Sequence, residues 1–175
     1  MPKIIENLRD DILSESLKII ENEGMDRLSI RHLSSELGIA PSTVYNYYDS
    51  KEQIVGALIG MRWEKALDDI DQICRKKINI QTALSEIVEN LRSGVGPLLQ
   101  FHIASVTSKG SVSGFNFTGT ILEPLDQRIT ILLTGQGTTE EEAKEMAPIL
   151  SKLLFTCMYD AELDMDSIIK TIKKI

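Results

Sequence analysis

A short segment near the amino terminus concentrates side chains that hydrogen-bond to polar partners. The polar side chains in the second half of this segment, residues 28–51, belong to Ser42, Thr43, Tyr45, Asn46 and Tyr47. Val44 and Tyr48, one helical turn apart, are the residues placed to face a protein interior. A helix of this kind presents hydroxyls, an amide and phenols to its surroundings. The amide can pair with adenine and the threonine methyl can contact thymine, so these residue types are suited to the base edges of DNA.

Two short helices joined by a tight turn are predicted for the same segment. Ser29 is a suitable N-cap for a helix in which Ile30 and Leu33 share one face. Gly38 follows that helix, where a left-handed stop favours a residue without a Cβ atom. Pro41 suits the first position of the second helix, because the N–H that proline lacks would have no partner there. The pattern is typical of a helix-turn-helix whose second helix enters a DNA groove.

The first third of the chain resembles the DNA-binding head of the tetracycline-repressor (TetR) family of bacterial regulators. The resemblance rests on an amphipathic first helix closed by Gly24, on LS-x-x-x-L-x-x-x-LGI, and on TVYNYY-x-SKE. It implies a dimer whose body is controlled by a small molecule. Ala40 departs from the family pattern, which often has a Ser or Thr there as N-cap. Such a loss costs about 0.5–2 kcal/mol of helix stability.

Seven residues are predicted to contact DNA: Arg31, Ser42, Thr43, Tyr45, Asn46, Tyr47 and Lys51. The resemblance supports five of them, namely Arg31, Thr43, Tyr45, Tyr47 and Lys51. Tyr45 and Tyr47 are expected to bind phosphates, which sets the register without reading sequence. Lys51 adds a charge beside the free N–H groups that begin the fourth helix, a natural phosphate site. Arg31 is open to either guanine or phosphate, and an ordinary solvated side chain is the alternative for every one of the seven.

The charge of the chain limits how it would bind nucleic acid. The formal net charge is -7, from 19 Lys and Arg against 26 Asp and Glu. Residues 1–51 are also acidic overall, whereas residues 27–51 carry Arg27, Arg31 and Lys51 against Glu36 and Asp49. Acidic faces elsewhere repel DNA and penalise wrong docking orientations. We therefore expect few ionic phosphate contacts and a shallow salt dependence.

The rest of the chain shows helical periodicity and no strand-like alternation, so the predicted fold class is all-α. Residues 1–50 form a three-helix head with the helix-turn-helix, and residues 51–175 form a helical ligand-binding and dimerisation domain. A long fourth helix joins the two without a flexible linker, so it would transmit tilt rigidly. The other helices are expected at about residues 4–23, 30–37, 41–47, 80–92, 98–106, 121–133 and 139–159, with a last one capped by Asp166.

Two further sets of residues are predicted in the body. A ligand pocket would be lined by Trp63, Phe101, His102, Phe115 and Phe117, although aromatic residues at helical spacing are more often plain core. Such a lining favours a small apolar or aromatic effector. The dimer surface is expected on the last two helices, at Ala147, Leu150, Leu154 and Ile169.

Several classes of protein have no support in the sequence. The chain has no nucleotide-binding glycine motif, no HExxH and no CxxC, and its two histidines and two cysteines are scattered. We therefore expect no enzyme, no cofactor and no metal, with Cys74 and Cys157 as free thiols. No apolar run approaches the roughly 18 residues of a membrane span, and the N-terminus is acidic rather than a signal peptide. A cytoplasmic location without membrane contact is expected.

The sequence thus predicts a homodimeric, sequence-specific transcription regulator that binds double-stranded DNA at a palindromic operator. Two half-sites about 34 Å or a multiple apart would match two recognition helices related by a two-fold axis. A repressor released by a small-molecule ligand is the main interpretation. The alternative is a helix-turn-helix adaptor controlled by a protein partner, without a small-molecule pocket. An enzyme on a helical core is the third interpretation, and it would need a catalytic constellation that is not visible.

Overall fold

The computed structural model describes residues 7–109, 118–160, 162–163 and 165–172, and over these residues it contains helices and no strand. The all-α prediction is confirmed. In chain order the helices are α1 (Leu8–Glu23), α2 (Ile30–Glu36), α3 (Pro41–Tyr45), α4 (Lys51–Arg75), α5 (Ile80–Gly94), α6 (Gly96–Lys109), α7 (Glu123–Gly135), α8 (Glu140–Tyr159) and α9 (Met165–Ile172). A 3₁₀ turn at Met25–Arg27 precedes α2, and a π-helical turn at Thr118–Leu122 precedes α7.

Helices α1, α2 and α3 form the head around a small apolar core. Its buried side chains are Leu8, Ile12, Ile19, Leu28, Ile30, Leu33, Val44 and Tyr48. Gly24 ends α1 with φ 95° and Gly38 follows α2 with φ 63°, both values that favour glycine. The Ser29 side chain accepts a hydrogen bond from the backbone N–H of His32 at 3.1 Å. The predicted cap and both predicted glycine stops are therefore present.

Helix α3 is the shortest α-helix of the head and begins without a side-chain cap. Ala40 stands at the N-cap in an extended conformation, φ -71° and ψ 145°, and its methyl group accepts no hydrogen bond. The helix ends at Tyr45, two residues earlier than predicted, and the chain continues as a turn in which the Tyr47 N–H donates to the Val44 carbonyl at 2.9 Å. The periodic spacing of apolar residues in the sequence continues through that turn, whereas the α-helix itself ends before it.

Helix α4 is continuous over 25 residues and connects the head to the body, as predicted. The Ser50 side chain caps it by accepting from the backbone N–H of Gln53 at 3.3 Å. Near the head, Arg62 forms an ion pair with Glu21 of α1. Farther along, the Asp71 carboxylate accepts from Arg128 of α7 at 3.1 Å. The helix is thus held by polar contacts to the head and to the body.

The body is built on the packing of α7 along α8, and α5 also packs against α8. Thr139 and Glu142 form the predicted capping box at the start of α8, and that helix ends at Tyr159 as predicted. Arg92 of α5 donates to the carbonyls of Cys157 at 2.6 Å and Leu163 at 3.5 Å. These bonds hold the end of α8 and the following turn against α5.

The last helix begins at Met165, two residues before the start that a cap at Asp166 predicts. Met165 opens α9 and is buried, with its Sδ atom 3.8 Å from the Cys157 Sγ atom. Asp166 therefore lies inside the helix rather than at its cap. The apolar contact of Met165 with α8, which the local sequence does not reveal, accounts for the earlier start.

Three observations concern disulfide bonds, metal binding and membrane spans, for which the sequence offers no support. Cys74 and Cys157 are free thiols, as predicted. Across the described ranges, no three His, Cys, Asp or Glu side chains are grouped in a way that would hold a metal ion. Among the same helices, none combines the length and the apolar character that crossing a bilayer requires.

The missing cap on α3 leads to a stability prediction. Ala40→Ser is expected to raise the free energy of unfolding by about 0.5–2 kcal/mol, because the backbone at Ala40 already has the extended geometry in which a hydroxyl accepts from the first turn. Urea denaturation followed by circular dichroism measures the change. Ala40→Val is the control at the same site, since valine cannot accept a hydrogen bond. Equal stabilities of the serine and valine variants would contradict the prediction.

Candidate nucleic-acid interface

The candidate surface for DNA recognition, called the recognition surface below, is the outward face of α3 and the turn that follows it. Val44 is fully buried and Tyr48 nearly so, which fixes the rotation of the segment against the head. Tyr45 and Tyr47 are 52% and 38% exposed, unusual values for such large apolar rings. Ser42 and Asn46 are also exposed, and Thr43 is half-buried. The structure therefore brings five of the seven predicted DNA contacts onto one surface.

Hydrogen bonds to the flanking elements hold this surface in position. The Tyr48 hydroxyl accepts from Nε of Arg9 on α1 at 3.3 Å, and the guanidinium also lies 5.7 Å from the tyrosine ring centroid. After α3, the Asp49 N–H donates to Oε1 of Gln53 at 2.8 Å. The Gln53 amide returns a bond to the Asp49 carboxylate at 3.0 Å. The carboxyl end of the polar face is thereby tied to α1 and α4.

At the positive edge of the head, one of the cations is paired with a carboxylate of the same chain. Nε of Arg27 lies 3.6 Å from the Glu23 carboxylate, which also contacts the His32 ring at 3.2 Å. Arg31, on the outer face of α2, is exposed as predicted. The exposed polar face of α3 therefore contributes neutral hydrogen-bonding groups, and the exposed cations of the head near it are Arg31 and the paired Arg27.

Lys51 has a different environment from the one predicted. Its Nζ atom donates to the carbonyl of Met25 at 2.5 Å and lies 4.7 Å from the ring centroid of Phe101 on α6. The side chain is half-buried, and this burial lowers the pKa of the Lys51 ammonium below its usual value. In this arrangement the ammonium lies between Met25 of the head and Phe101 of the body.

The predicted pocket residues lie in different surroundings. Trp63 is buried, with its ring centroid 5.8 Å from that of Phe155, and Phe155 in turn lies 6.3 Å from Tyr159. Phe101 is half-buried beneath Lys51, and His102 is half-buried on the same helix. Phe115 and Phe117 lie outside the described residues.

Sequence reasoning missed two members of the aromatic cluster and a serine beside it. Phe155 and Tyr159 are four residues apart on α8, a spacing that places them on one face and could have suggested them. Within the described parts of the chain, Nε1 of Trp63, the Ser151 hydroxyl and the Tyr159 hydroxyl are buried without a hydrogen-bond partner. Burial raises the pKa of Tyr159 to about 12, so the phenol remains a protonated donor. These three donors lie on α4 and α8 around Phe155.

Two adjoining clefts between α4 and α5 have a different character. Their volumes are about 210 and 430 Å³, and both are lined by Asp69, Asn90 and Ser93. The remaining lining is also largely charged or polar, including Lys65 and Glu89. Clefts of this kind do not suit the apolar effector that the sequence favours.

The predicted dimer residues divide into two groups. Ala147 and Leu154 are fully buried inside the same chain, so the structure does not place them on a surface that a partner could reach. Leu150 and Ile169 are half-buried against the core. The exposed apolar side chains of this region are instead Ile131, Met146 and Ile149, at 59%, 44% and 63% exposure. Helix α8 has apolar residues on two faces, and periodicity alone does not say which face is internal.

Comparison with known proteins agrees with this architecture. Residues 12–58 match the family model described as bacterial regulatory proteins, tetR family. Among curated proteins, none matches the chain significantly in sequence. A solved TetR/AcrR-family transcriptional regulator from Thermobifida fusca shares the fold with a TM-score of 0.55 at 13% identity, over 95% of this chain and 94% of that one.

Two other solved structures share the fold at a similar level. The multidrug binding protein EbrR, complexed with imidazole, has a TM-score of 0.53 at 15% identity and covers 93% of each chain. The fatty acid degradation regulator FadR from Bacillus halodurans has a TM-score of 0.52 at 16% identity, over 98% of this chain and 95% of that one. The family match thus identifies residues 12–58 as a tetR-family head, and the solved structures show that the chain shares their all-helical fold.

Proposed function

We propose that the protein is a homodimeric transcription regulator that binds a palindromic operator and represses, and that a small apolar or aromatic molecule releases it. The observation that carries the DNA-binding part is the exposed polar face of α3. Tyr45 and Tyr47 are exposed to solvent there, while Val44 and Tyr48 are buried and anchor the segment to the core of the head. Large exposed phenols on a rigid support are suited to a polar partner.

The groups on this face have separate roles in the proposed complex. Asn46, Ser42 and Thr43 are neutral donors and acceptors of the kind that read base edges. The phenols of Tyr45 and Tyr47 bind phosphates and set the register. With Arg31 as the adjacent exposed cation, recognition depends more on hydrogen bonds than on charge, which agrees with the net charge of -7. A face of this size reads a few base pairs, so a second copy is needed for specificity.

We assign the dimer contact to the exposed apolar surface of α7 and α8 formed by Ile131, Met146 and Ile149. Pairing these two helices with their counterparts in a second copy forms a four-helix bundle. A two-fold axis through the bundle places the same surface on both partners and leaves the two heads free to reach successive major grooves. The second copy covers side chains that are otherwise 44–63% exposed.

The proposed effector site is the aromatic cluster of Trp63, Phe155 and Tyr159. Buried donors without a protein partner are costly, and a ligand with an acceptor group would satisfy them. Tenfold release of DNA requires only about 1.4 kcal/mol of difference in ligand affinity between the two states. EbrR is named as a multidrug binding protein and FadR as a regulator of fatty acid degradation, so the fold alone does not select one class of effector.

The DNA-binding proposal is tested by selecting bound sequences from a random duplex library at two salt concentrations. We expect a palindrome with half-sites about one helical turn or a multiple apart. A library without an enriched motif at either salt concentration would overturn the proposal.

Two variants then separate base reading from phosphate binding. Asn46→Ala is expected to lose about 1–3 kcal/mol of discrimination at one base pair of each half-site. Tyr47→Phe is expected to weaken binding to all DNA sequences alike, since a phosphate contact carries no information about the bases. Gln100→Ala, an exposed amide on α6, is the control that should leave both affinity and preference unchanged. If Asn46→Ala lowers the affinity for all DNA sequences equally, this residue does not read bases.

The dimer assignment is tested with Met146→Glu combined with Ile149→Glu. We expect a folded monomer with greatly weakened operator binding, because both side chains are exposed in the single chain. Sedimentation velocity measures the mass and circular dichroism measures the helix content. Lys144→Glu is the control, since it also changes the net charge by two units at an exposed site of the same helix. Leu154→Glu should instead unfold the chain, because it buries a charge in the core. A double variant that remains dimeric would contradict the assignment.

A further inference from the structure

Lys51 is the residue at which the head, α4 and α6 meet. It is the first residue of α4, and its Nζ atom reaches the carbonyl of Met25 in the 3₁₀ turn that follows α1. The same ammonium lies over the ring of Phe101 on α6, at 4.7 Å from the ring centroid. Met25 is 26 residues before Lys51 and Phe101 is 50 residues after it, so the contact joins segments that are distant in sequence.

The surroundings of the ammonium explain why it remains in this position. A carbonyl acceptor and the negative face of an aromatic ring both stabilise a cation, the ring doing so within about 6 Å of its centroid. Asp26 and Glu52 lie close enough to act electrostatically on the same group, in opposition to its desolvation. The site therefore holds a charged side chain in a partly buried place beside the recognition surface.

This position differs from the outward one that the sequence suggests for Lys51. The start of α4, where free backbone N–H groups attract phosphate, is the place at which an outward lysine would contact the operator. One of the three N–H donors of the Lys51 ammonium bonds the Met25 carbonyl at 2.5 Å, and the group also faces the Phe101 ring, so the side chain is directed toward the contact between head and body. The arrangement in the structure is thus one in which a cation is withdrawn from the DNA-binding edge.

We propose that Phe101, with the Met25 carbonyl, holds Lys51 away from the operator, so that the position of α6 determines whether this cation is available to a phosphate. The inference rests on the proposed DNA-binding function and adds a regulatory contact to it. A ligand that favours the withdrawn arrangement weakens DNA binding. By linkage, operator binding that draws Lys51 outward weakens the hold of α6 on the head by the same factor.

The first test is Phe101→Leu, which removes the aromatic face and keeps an apolar side chain at a half-buried site. Operator affinity at low salt is expected to rise by roughly 2- to 30-fold, the range that corresponds to cation–π strengths. The plot of log affinity against log salt concentration should become steeper by about 0.9 for each additional phosphate that the protein neutralises. Phe101→Tyr is the matched control, since it retains an aromatic face and should behave like the unaltered protein.

A double-mutant cycle separates this role from a structural one. In a Lys51→Gln background, Phe101→Leu should no longer change either the affinity or the salt slope. A Phe101→Leu protein that binds the operator no more tightly than the unaltered protein, with an unchanged slope, would overturn the inference while leaving the proposed function intact. Loss of operator binding by the unaltered protein itself would instead remove the proposed function and the inference together.

A second measurement does not use DNA. Reductive methylation with ¹³C-formaldehyde gives each lysine an NMR signal, and the Lys51 signal is identified by its absence in Lys51→Gln. We expect this signal to be displaced by the ring current of Phe101 and to return to the ordinary lysine position in Phe101→Leu. An undisplaced Lys51 signal in the unaltered protein would overturn the inference, whatever the affinities show.

Discussion

Helix α4 is buried along one face over its whole length, first against α1 and then against α5, α6 and α7. The side chains on this face include Ile54 and Leu58 near the head and Ile70 near the far end, all fully buried. Burying each such side chain contributes about 1.5–3 kcal/mol. Since one rigid helix packs against both parts of the chain, neither part can rotate about it without losing apolar contacts. The geometry of the recognition surface relative to the body follows from this constraint.

Polar contacts determine how α4 is oriented once it is buried. The Arg62 pair with Glu21 lies near the surface, where such pairs contribute roughly 0–1 kcal/mol and chiefly select a geometry. Arg128 is more constrained, since it donates to Asp71, to the Leu67 carbonyl at 3.3 Å and to the carbonyl of Pro124 at 3.0 Å. It therefore ties α4 to α7, the helix that carries Ile131. A movement of α7 and α8 would be transmitted to α4, and from there to the head.

The distribution of charge gives the head an uncommon character for a nucleic-acid-binding surface. The protein is acidic overall, and two of the three cations near the helix-turn-helix have internal partners, Arg27 with Glu23 and Lys51 with the Met25 carbonyl. In the proposed complex electrostatic attraction is then a small part of binding, and orientation depends on the hydrogen-bonding groups of α3. A surface of this kind is sensitive to the addition of a single cation, because few others are present.

Local structure in this protein follows from interactions that act within one helical turn. Ser29, Ser50 and Thr139 cap helices, and Gly24 and Gly38 end them, because each effect depends on neighbouring backbone groups. The tertiary structure decided which apolar face of α8 is internal, since Leu154 and Ile149 have equally apolar side chains and only packing against α7 and α5 distinguishes them. It also decided the direction of the Lys51 side chain, because a long flexible side chain bonds to whichever acceptor the fold brings near its ammonium group. The positions of Met25 and Phe101 in space cannot be inferred from their positions in the chain.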